Sequence, residues 1–233
     1  MSIILETENL KKNYFSKQAL RGISLKVESG RILGLMGPNG SGKTTFLKTI
    51  AGLQKASSGN FRVAGQPGGY DTKKLVSFLP DRNTLYPWMK AIDAIDFYAD
   101  FFEDFDRAKA LDMLSFMKLE QKEPVKTMSK GMIEKLNLTL SFSRRASLFL
   151  LDEPLGGVDP VARERIVSTI IKTWTEDSAI IISTHLVNDV EQIFNDVAFI
   201  SDGELILSGD AETLRSERGK SIDQLYIEIF SNR

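Results

Sequence analysis

The alternation of apolar and polar positions changes period several times along the chain. Residues 3–10, 20–27 and 59–63 are short alternating runs parted by turns such as Glu28-Ser29-Gly30, which predicts an antiparallel sheet near the N-terminus. Ile32-Leu33-Gly34-Leu35-Met36, Leu148–Leu151 and Ala179–Ile182 are short unbroken apolar runs, the pattern of strands covered on both faces. Leu75–Leu79 reads as a further strand closed by Pro80. A helix is expected from Lys43 to about Ala51, and a helical pattern from about 83 to 143. Strand, helix and strand then alternate through residue 209. Further helices are expected over 186–194, 210–217 and 222–230, the last placing Ile222, Leu225, Tyr226 and Ile229 on one face. The fold class is therefore α/β: a core of about 1–82 and 144–233 with an N-terminal antiparallel β subdomain, and an inserted α-helical subdomain of about 83–143, together one domain over 1–233.

Candidate chemistry lies where these runs end. Between the strand at 32–36 and the helix at 43 stands Gly37-Pro38-Asn39-Gly40-Ser41-Gly42-Lys43-Thr44-Thr45, which fits G-x-x-x-x-G-K-[ST] in the strand–loop–helix setting of a phosphate-binding loop. Glycines let successive N–H groups face one point, and the helix N-terminus adds partial positive charge there. Lys43 would reach β and γ phosphates and the Thr44 hydroxyl would ligate Mg²⁺, so the chain is expected to bind a nucleoside triphosphate. The strand at 148–151 ends in Asp152-Glu153-Pro154. In a parallel sheet ligands gather at that end; Asp152 would hold Mg²⁺ and Glu153 would orient or deprotonate an attacking water.

Three more pieces follow in order: Met128-Ser129-Lys130-Gly131-Met132 before a helical stretch, Gly156-Gly157-Val158-Asp159-Pro160, and Ser183-Thr184-His185, which holds the only histidine. With these in place the chain, over essentially its whole length, resembles the ATP-binding subunits of ABC transporters: a P-loop NTPase core carrying the two subdomains. The resemblance implies a signature sequence at Ser129 and Gly131, with Lys130 between them, a D-loop at Asp159, a γ-phosphate contact at His185 and an adenine-stacking ring at Tyr14. It further implies a head-to-tail dimer in which the signature helix of one subunit faces the γ-phosphate held by the other. Ser129 is a good N-cap, and the unpaired N–H groups of the first turn suit an oxyanion.

Two departures from the family pattern stand out. The commonest signature is Leu-Ser-Gly-Gly-Gln, whereas positions 128, 130 and 132 are Met, Lys and Met. In Phe78-Leu79-Pro80-Asp81-Arg82 the family's glutamine is replaced by Asp81, an acceptor when ionised, which could ligate Mg²⁺ but could not donate to a water.

Composition narrows the partners. Thirty basic and 31 acidic residues give net charge −1, so no global basic field points to nucleic acid. The absence of cysteine excludes disulfides and thiolate metal sites. No apolar run approaches the roughly 20 residues of a membrane span, and Met1–Glu6 lacks a signal-peptide pattern. Service to a membrane would therefore require docking on a separate integral permease, at the cytoplasmic face of the cell membrane. Seven of the chain's 21 aromatic residues fall in 86–105, either as the core of the helical lobe or, through Tyr86, Trp88 and part of the 97–102 face, as a groove for a permease helix.

The reading is an ATP hydrolase working with ATP and Mg²⁺ as one of two ATPase subunits, alike or related, and driving a permease, with the Ser-Lys-Gly signature and Leu-Pro-Asp at 79–81 most like bacterial export systems. Two alternatives stay open: a soluble ABC-type ATPase acting on nucleic acid or ribosomes, against which the near-neutral charge and the lack of a coiled-coil insertion stand, and a small-molecule kinase, which would need an acceptor pocket.

Overall fold

The computed structural model describes residues 2–231. Its first strands, β1 (Ile3–Tyr14) and β2 (Lys17–Glu28), form an antiparallel hairpin longer than the alternating runs suggest. Register shifts between Thr7 and Lys11 explain the difference. Asn9 there takes a left-handed φ of 48°, so the pattern of faces breaks although the pairing continues. β3 (Ile32–Met36), α1 (Lys43–Ile50), β4 (Ser58–Val63), β5 (Gln66–Pro67) and β6 (Val76–Leu79) follow. The first sheet has the order β2-β1-β4-β5 and is antiparallel throughout.

Three helices lie between β6 and the next strand: α2 (Ala91–Phe101), α3 (Arg107–Phe116) and α4 (Lys130–Phe142). The chain then runs through β7 (Leu148–Asp152), α5 (Pro160–Thr173), β8 (Ala179–Thr184), β9 (Asp196–Ser201), β10 (Glu204–Asp210), α6 (Ala211–Arg218) and α7 (Ile222–Ser231). The second sheet has the order β10-β9-β3-β8-β7-β6, parallel except for β10. Every residue of β3, β7 and β8 is buried, as their apolar runs require, and so are the polar residues Asp152, Ser183 and Thr184 that end β7 and β8.

Alternate side chains of this sheet feed two cores. Leu33, Leu35, Leu148, Leu150 and Ile181 pack with α1 and the antiparallel sheet. Met36, Leu151, Ile180 and Ile182 face the other way, toward a cluster that continues through α4 and α5 into α2, α3 and α7. Helix α1 is thus clamped between the two sheets through Phe46, Leu47 and Ile50, all fully buried, which fixes the loop ahead of it.

At 186–194 the structure corrects the expected helix. Two short 3-10 turns, Val187–Asp189 and Glu191–Ile193, occupy the segment, broken at Val190 with φ near −135°. Side-chain anchors from elsewhere decide the path. Arg163 holds Asp189, and Glu191 accepts from the backbone N–H of Asp223. The face expected on the last helix is present: Ile222 and Leu225 are buried, with Tyr226 and Ile229 packed against the same core.

Candidate functional site

Strand register brings the chemistry together. Met36 pairs with Thr184 and Asp152 with Ser183, so the chain leaves β3, β7 and β8 at one level and presents Gly37, Glu153 and His185 side by side. The phosphate loop spans Gly37–Gly42 on this edge. A Cβ at Gly37 would stand 2.2 Å from the Ile200 carbonyl oxygen, and at Gly42, whose φ is 113°, a Cβ would meet the Ala19 carbonyl at 2.8 Å. Glycine is therefore demanded at both ends of the loop.

Lys43 begins α1 and is buried. Its Nζ donates to the carbonyls of Gly37 (2.7 Å) and Pro38 (3.2 Å) and lies 3.8 Å from Glu153 Oε1. Burial lowers its pKa, while the charges of Glu153 and Asp152 act to raise it. The ammonium thus sits inside the loop, where incoming phosphate oxygens could replace weak carbonyl partners.

Asp152 is fully buried, and burial raises its pKa against hydrogen bonds from Ser183 and Thr44. Its Oδ1 accepts from Ser183 Oγ (2.6 Å) and Thr44 Oγ1 (3.1 Å). Its Oδ2 is buried with no hydrogen-bond partner. An orphaned carboxylate oxygen beside a threonine hydroxyl fits a hard divalent cation. Among the described residues no three His, Cys, Asp or Glu side chains converge on one point. Asp81 lies in the loop after β6, exposed, and its charge is felt at Asp152, where it opposes ionisation.

Glu153 has a left-handed φ of 52°, a conformation uncommon for a residue other than Gly, Asn or Asp. Its N–H donates to both the backbone carbonyl (3.0 Å) and Oγ (3.1 Å) of Ser183. Its Oε2 bonds His185 Nδ1 (2.8 Å) and accepts from the His185 N–H (3.3 Å). This tie turns Oε1 toward Lys43 and leaves His185 half exposed, its other nitrogen free of the pair. Strain held in place by several bonds at one carboxylate is a mark of a working position.

The remaining predicted residues form a second group. Ser129 caps α4, its Oγ accepting from Met132 N (3.3 Å). Asp159 caps α5, accepting from Ala162 N (3.0 Å). The two caps adjoin: a Cβ on Gly131 would lie 3.5 Å from Val158 and Ala162 and 3.6 Å from Asp159. Lys130 is exposed and folds over Gly157, where a Cβ would stand 2.3 Å from its Nζ. Tyr14 closes the β1–β2 hairpin, paired with Lys17 two residues before Ala19, the residue that abuts Gly42. Its ring is part exposed, with Lys12 Nζ 5.0 Å from the centroid and its hydroxyl bonded to Gln54 Oε1. Asn39, Gly40 and Thr45 belong to the loop and first turn, whereas Ser41 is buried beneath it.

Three neighbours escaped the sequence reading. Ser183 donates to the Asp152 carboxylate and accepts from the Glu153 backbone N–H, and its signal was a polar residue at the end of a buried strand. Glu134, on α4, and Arg163, on α5, carried none, because each reads as the solvent face of a helix.

A family model described as ABC transporter matches residues 20–156. The linearmycin resistance ATP-binding protein LnrL of Bacillus subtilis is 30% identical over 93% of this chain and 72% of its own length. The chain spans 60% to 72% of the length of the first curated relatives it matches. Among solved structures, an ATP-binding subunit of an ABC transporter superposes with a TM-score of 0.86 at 24% identity, covering 97% of this chain and 98% of that one. A dimeric ATP-binding cassette in a post-hydrolysis state, bound to ADP and phosphate, superposes with a TM-score of 0.80 at 20% identity, covering 89% and 98%.

Proposed function

The chain belongs to the ABC transporter ATP-binding family, and from that premise we propose that it hydrolyses ATP, pairs with a second ATPase subunit around ATP and Mg²⁺, and drives a separate membrane permease in export. One observation carries the reading: Lys43, Asp152, Glu153 and His185 converge on the phosphate loop at the ends of neighbouring strands. The resistance role named for the Bacillus subtilis relative supports export.

Lys43 would leave the Gly37 and Pro38 carbonyls for the β and γ phosphates, where the loop N–H groups and the start of α1 also point. Thr44 and Asp152 Oδ2 would hold Mg²⁺, with Asp81 as a further ligand; bound there, the ion would neutralise developing phosphate charge. Glu153 is the base or water-orienting group, and His185 holds its carboxylate through Nδ1 and offers the γ-phosphate its other nitrogen. Tyr14 would stack on adenine. Ser129, Lys130, Gly131 and Asp159 form the surface for the second subunit's nucleotide, and a phosphate at the start of α4 would offset the unfavourable placing of Lys130 against the helix dipole.

Permease docking, at the cytoplasmic face of the membrane, falls to the segment 83–143 acting as a helical lobe. A groove of about 780 Å³ runs between β6 and α2, lined by Phe78, Leu79, Tyr98, Phe101 and Phe102. Its rim carries exposed aromatics of the kind that anchor a partner helix.

Glu153→Gln tests the reading, since it removes the carboxylate and keeps the shape. The molar mass of this variant in solution should double with Mg-ATP and stay monomeric with Mg-ADP or no nucleotide. A monomer in all three conditions, with ATP still bound, contradicts self-pairing and points to a related partner subunit.

A further inference from the structure

One guanidinium joins the two halves of the site described above. Arg163, in the first turn of α5, folds back along its own helix instead of extending into solvent. Its Nε donates to the Val158 carbonyl (2.9 Å) and its Nη1 to Asp189 Oδ2 (2.7 Å). Neither side chain is more than a third exposed. On one side, Val158 is buried and stands with Asp159 and Ala162 against Gly131 at the start of α4. On the other, Asp189 ends the 3-10 turn that begins two residues after His185, and Val187 in that turn is buried. The turn is fixed to β8 by the Leu186 N–H donating to Thr184 Oγ1 (2.9 Å).

We propose that Arg163 is a positioning residue that makes the loop 156–159 and the segment 185–189 move as one body. His185 reads the subunit's own nucleotide, while Asp159 and Gly131 lie on the surface offered to the second subunit. The inference rests on the ATP-dependent pairing proposed above, and adds the link through which one subunit's bound nucleotide prepares the face that receives the other. Charge-assisted bonds to two acceptors from a planar fork resist separation of the loop and the turn. A lysine has a single nitrogen and a different length, so it cannot span both acceptors in that geometry. Arg163 touches neither carboxylate of the site, so its loss should leave nucleotide binding in place.

The test uses the full chain in the Glu153→Gln background, comparing Arg163→Ala, Arg163→Lys, Asp189→Asn and the Arg163→Ala/Asp189→Asn double variant. ATP affinity is titrated at a protein concentration where the chain is monomeric. Dimerisation with Mg-ATP is followed by molar mass over a concentration series. Arg163→Ala is expected to bind ATP within about twofold of its parent while its dimer dissociation constant rises on the order of ten- to a hundredfold, the equivalent of one or two lost charge-assisted hydrogen bonds. Arg163→Lys should not restore pairing, and the double variant should pair no worse than Arg163→Ala, since both changes break one link. If Arg163→Ala fails to fold, Asp189→Asn, which keeps the side-chain shape, carries the test alone. Dimerisation unchanged in Arg163→Ala and in Asp189→Asn overturns the inference, as does ATP affinity falling in step with pairing, the sign of local damage only. A parent that stays monomeric with ATP overturns the self-pairing itself, and the inference with it.

Discussion

Glu134 shows how far a single side chain can depart from its sequence pattern. It sits on α4 one turn beyond Lys130, with only 6% of its surface exposed. Burial pushes its pKa from 4.5 up to about 7, against the opposing effects of an Asn137 hydrogen bond and the Lys130 charge, with Asp81 adding to the rise. Between those two values the folded protein keeps a proton that the unfolded chain has lost, so raising the pH through this window removes stability. The loss is nearly complete by about pH 8 and amounts to about 3 kcal/mol. Glu134→Gln should therefore match the parent in urea denaturation at pH 4.5 and exceed it by about 3 kcal/mol at pH 8. A parent curve as flat as the variant's between these pH values would contradict the buried proton. The sequence could not show this, because a polar position in the helical stretch Ile133–Phe142 carries no sign of burial, whereas in the fold every residue from Leu136 to Phe142 is buried as well. For the same reason the left-handed φ of Glu153 was invisible. The order Leu-Leu-Asp-Glu-Pro locates the carboxylate, while the bonds that accompany its left-handed backbone come from Ser183, 30 residues away.

Elements were legible where their stabilisation is local. The fully apolar runs became β3, β7 and β8, and the glycine-rich turn between β3 and α1 became the loop, because burial on both faces and positive φ leave few residue choices. The stretch 186–194 was misread because its path is set by Arg163 and Asp223, which a periodicity count cannot see. The aromatic segment was legible only as an alternative, and in the fold its side chains divide between buried and exposed positions. Tyr98 and Phe105 pack against the core, whereas Trp88 (69%), Tyr86 (56%) and Phe101 (71%) are exposed. The i,i+4 spacing alone does not say which aromatic stripe a neighbour will cover. Tyr86 and Trp88 stack with ring centroids 5.7 Å apart, so this surface is preformed. Trp88→Ala removes exposed surface only, and its unfolding free energy should stay within about 0.5 kcal/mol of the parent. If the permease docks here, the variant will bind ATP normally but no longer co-purify with a co-expressed permease.

At the scale of the whole molecule the question is how the helices of 91–142 are held to the sheet while keeping an orientation a partner could change. Apolar contact is continuous from α2 and α3 through α4 to β7, which resists separation but sets no particular angle. Direction comes from Arg144, just beyond α4 and 5% exposed. Its Nε bonds both oxygens of Asp104 at 3.0 and 3.1 Å, and its Nη atoms donate to the carbonyls of Val76 and Lys74 at 3.1 Å. The Phe102 ring lies 4.0 Å from its Cζ. One guanidinium therefore ties the end of the α2–α3 connection to the start of β6, the strand whose far end leads to Asp81. Arg144→Ala leaves Asp104 and two carbonyls short of a donor, at a cost of about 3 kcal/mol, and Arg144→Lys recovers little because an ammonium cannot meet these acceptors in one plane. Urea denaturation should register that loss in both variants. ATP affinity of the folded fraction should stay near the parent's, since Lys43 and the loop are held by α1 and the two sheets, not by this clamp. Any stimulation by a permease should fall in both variants: with the clamp gone, movement of the helical lobe is no longer transmitted to β6. Stimulation that survives in Arg144→Ala would mean that apolar packing alone couples the lobe to the site.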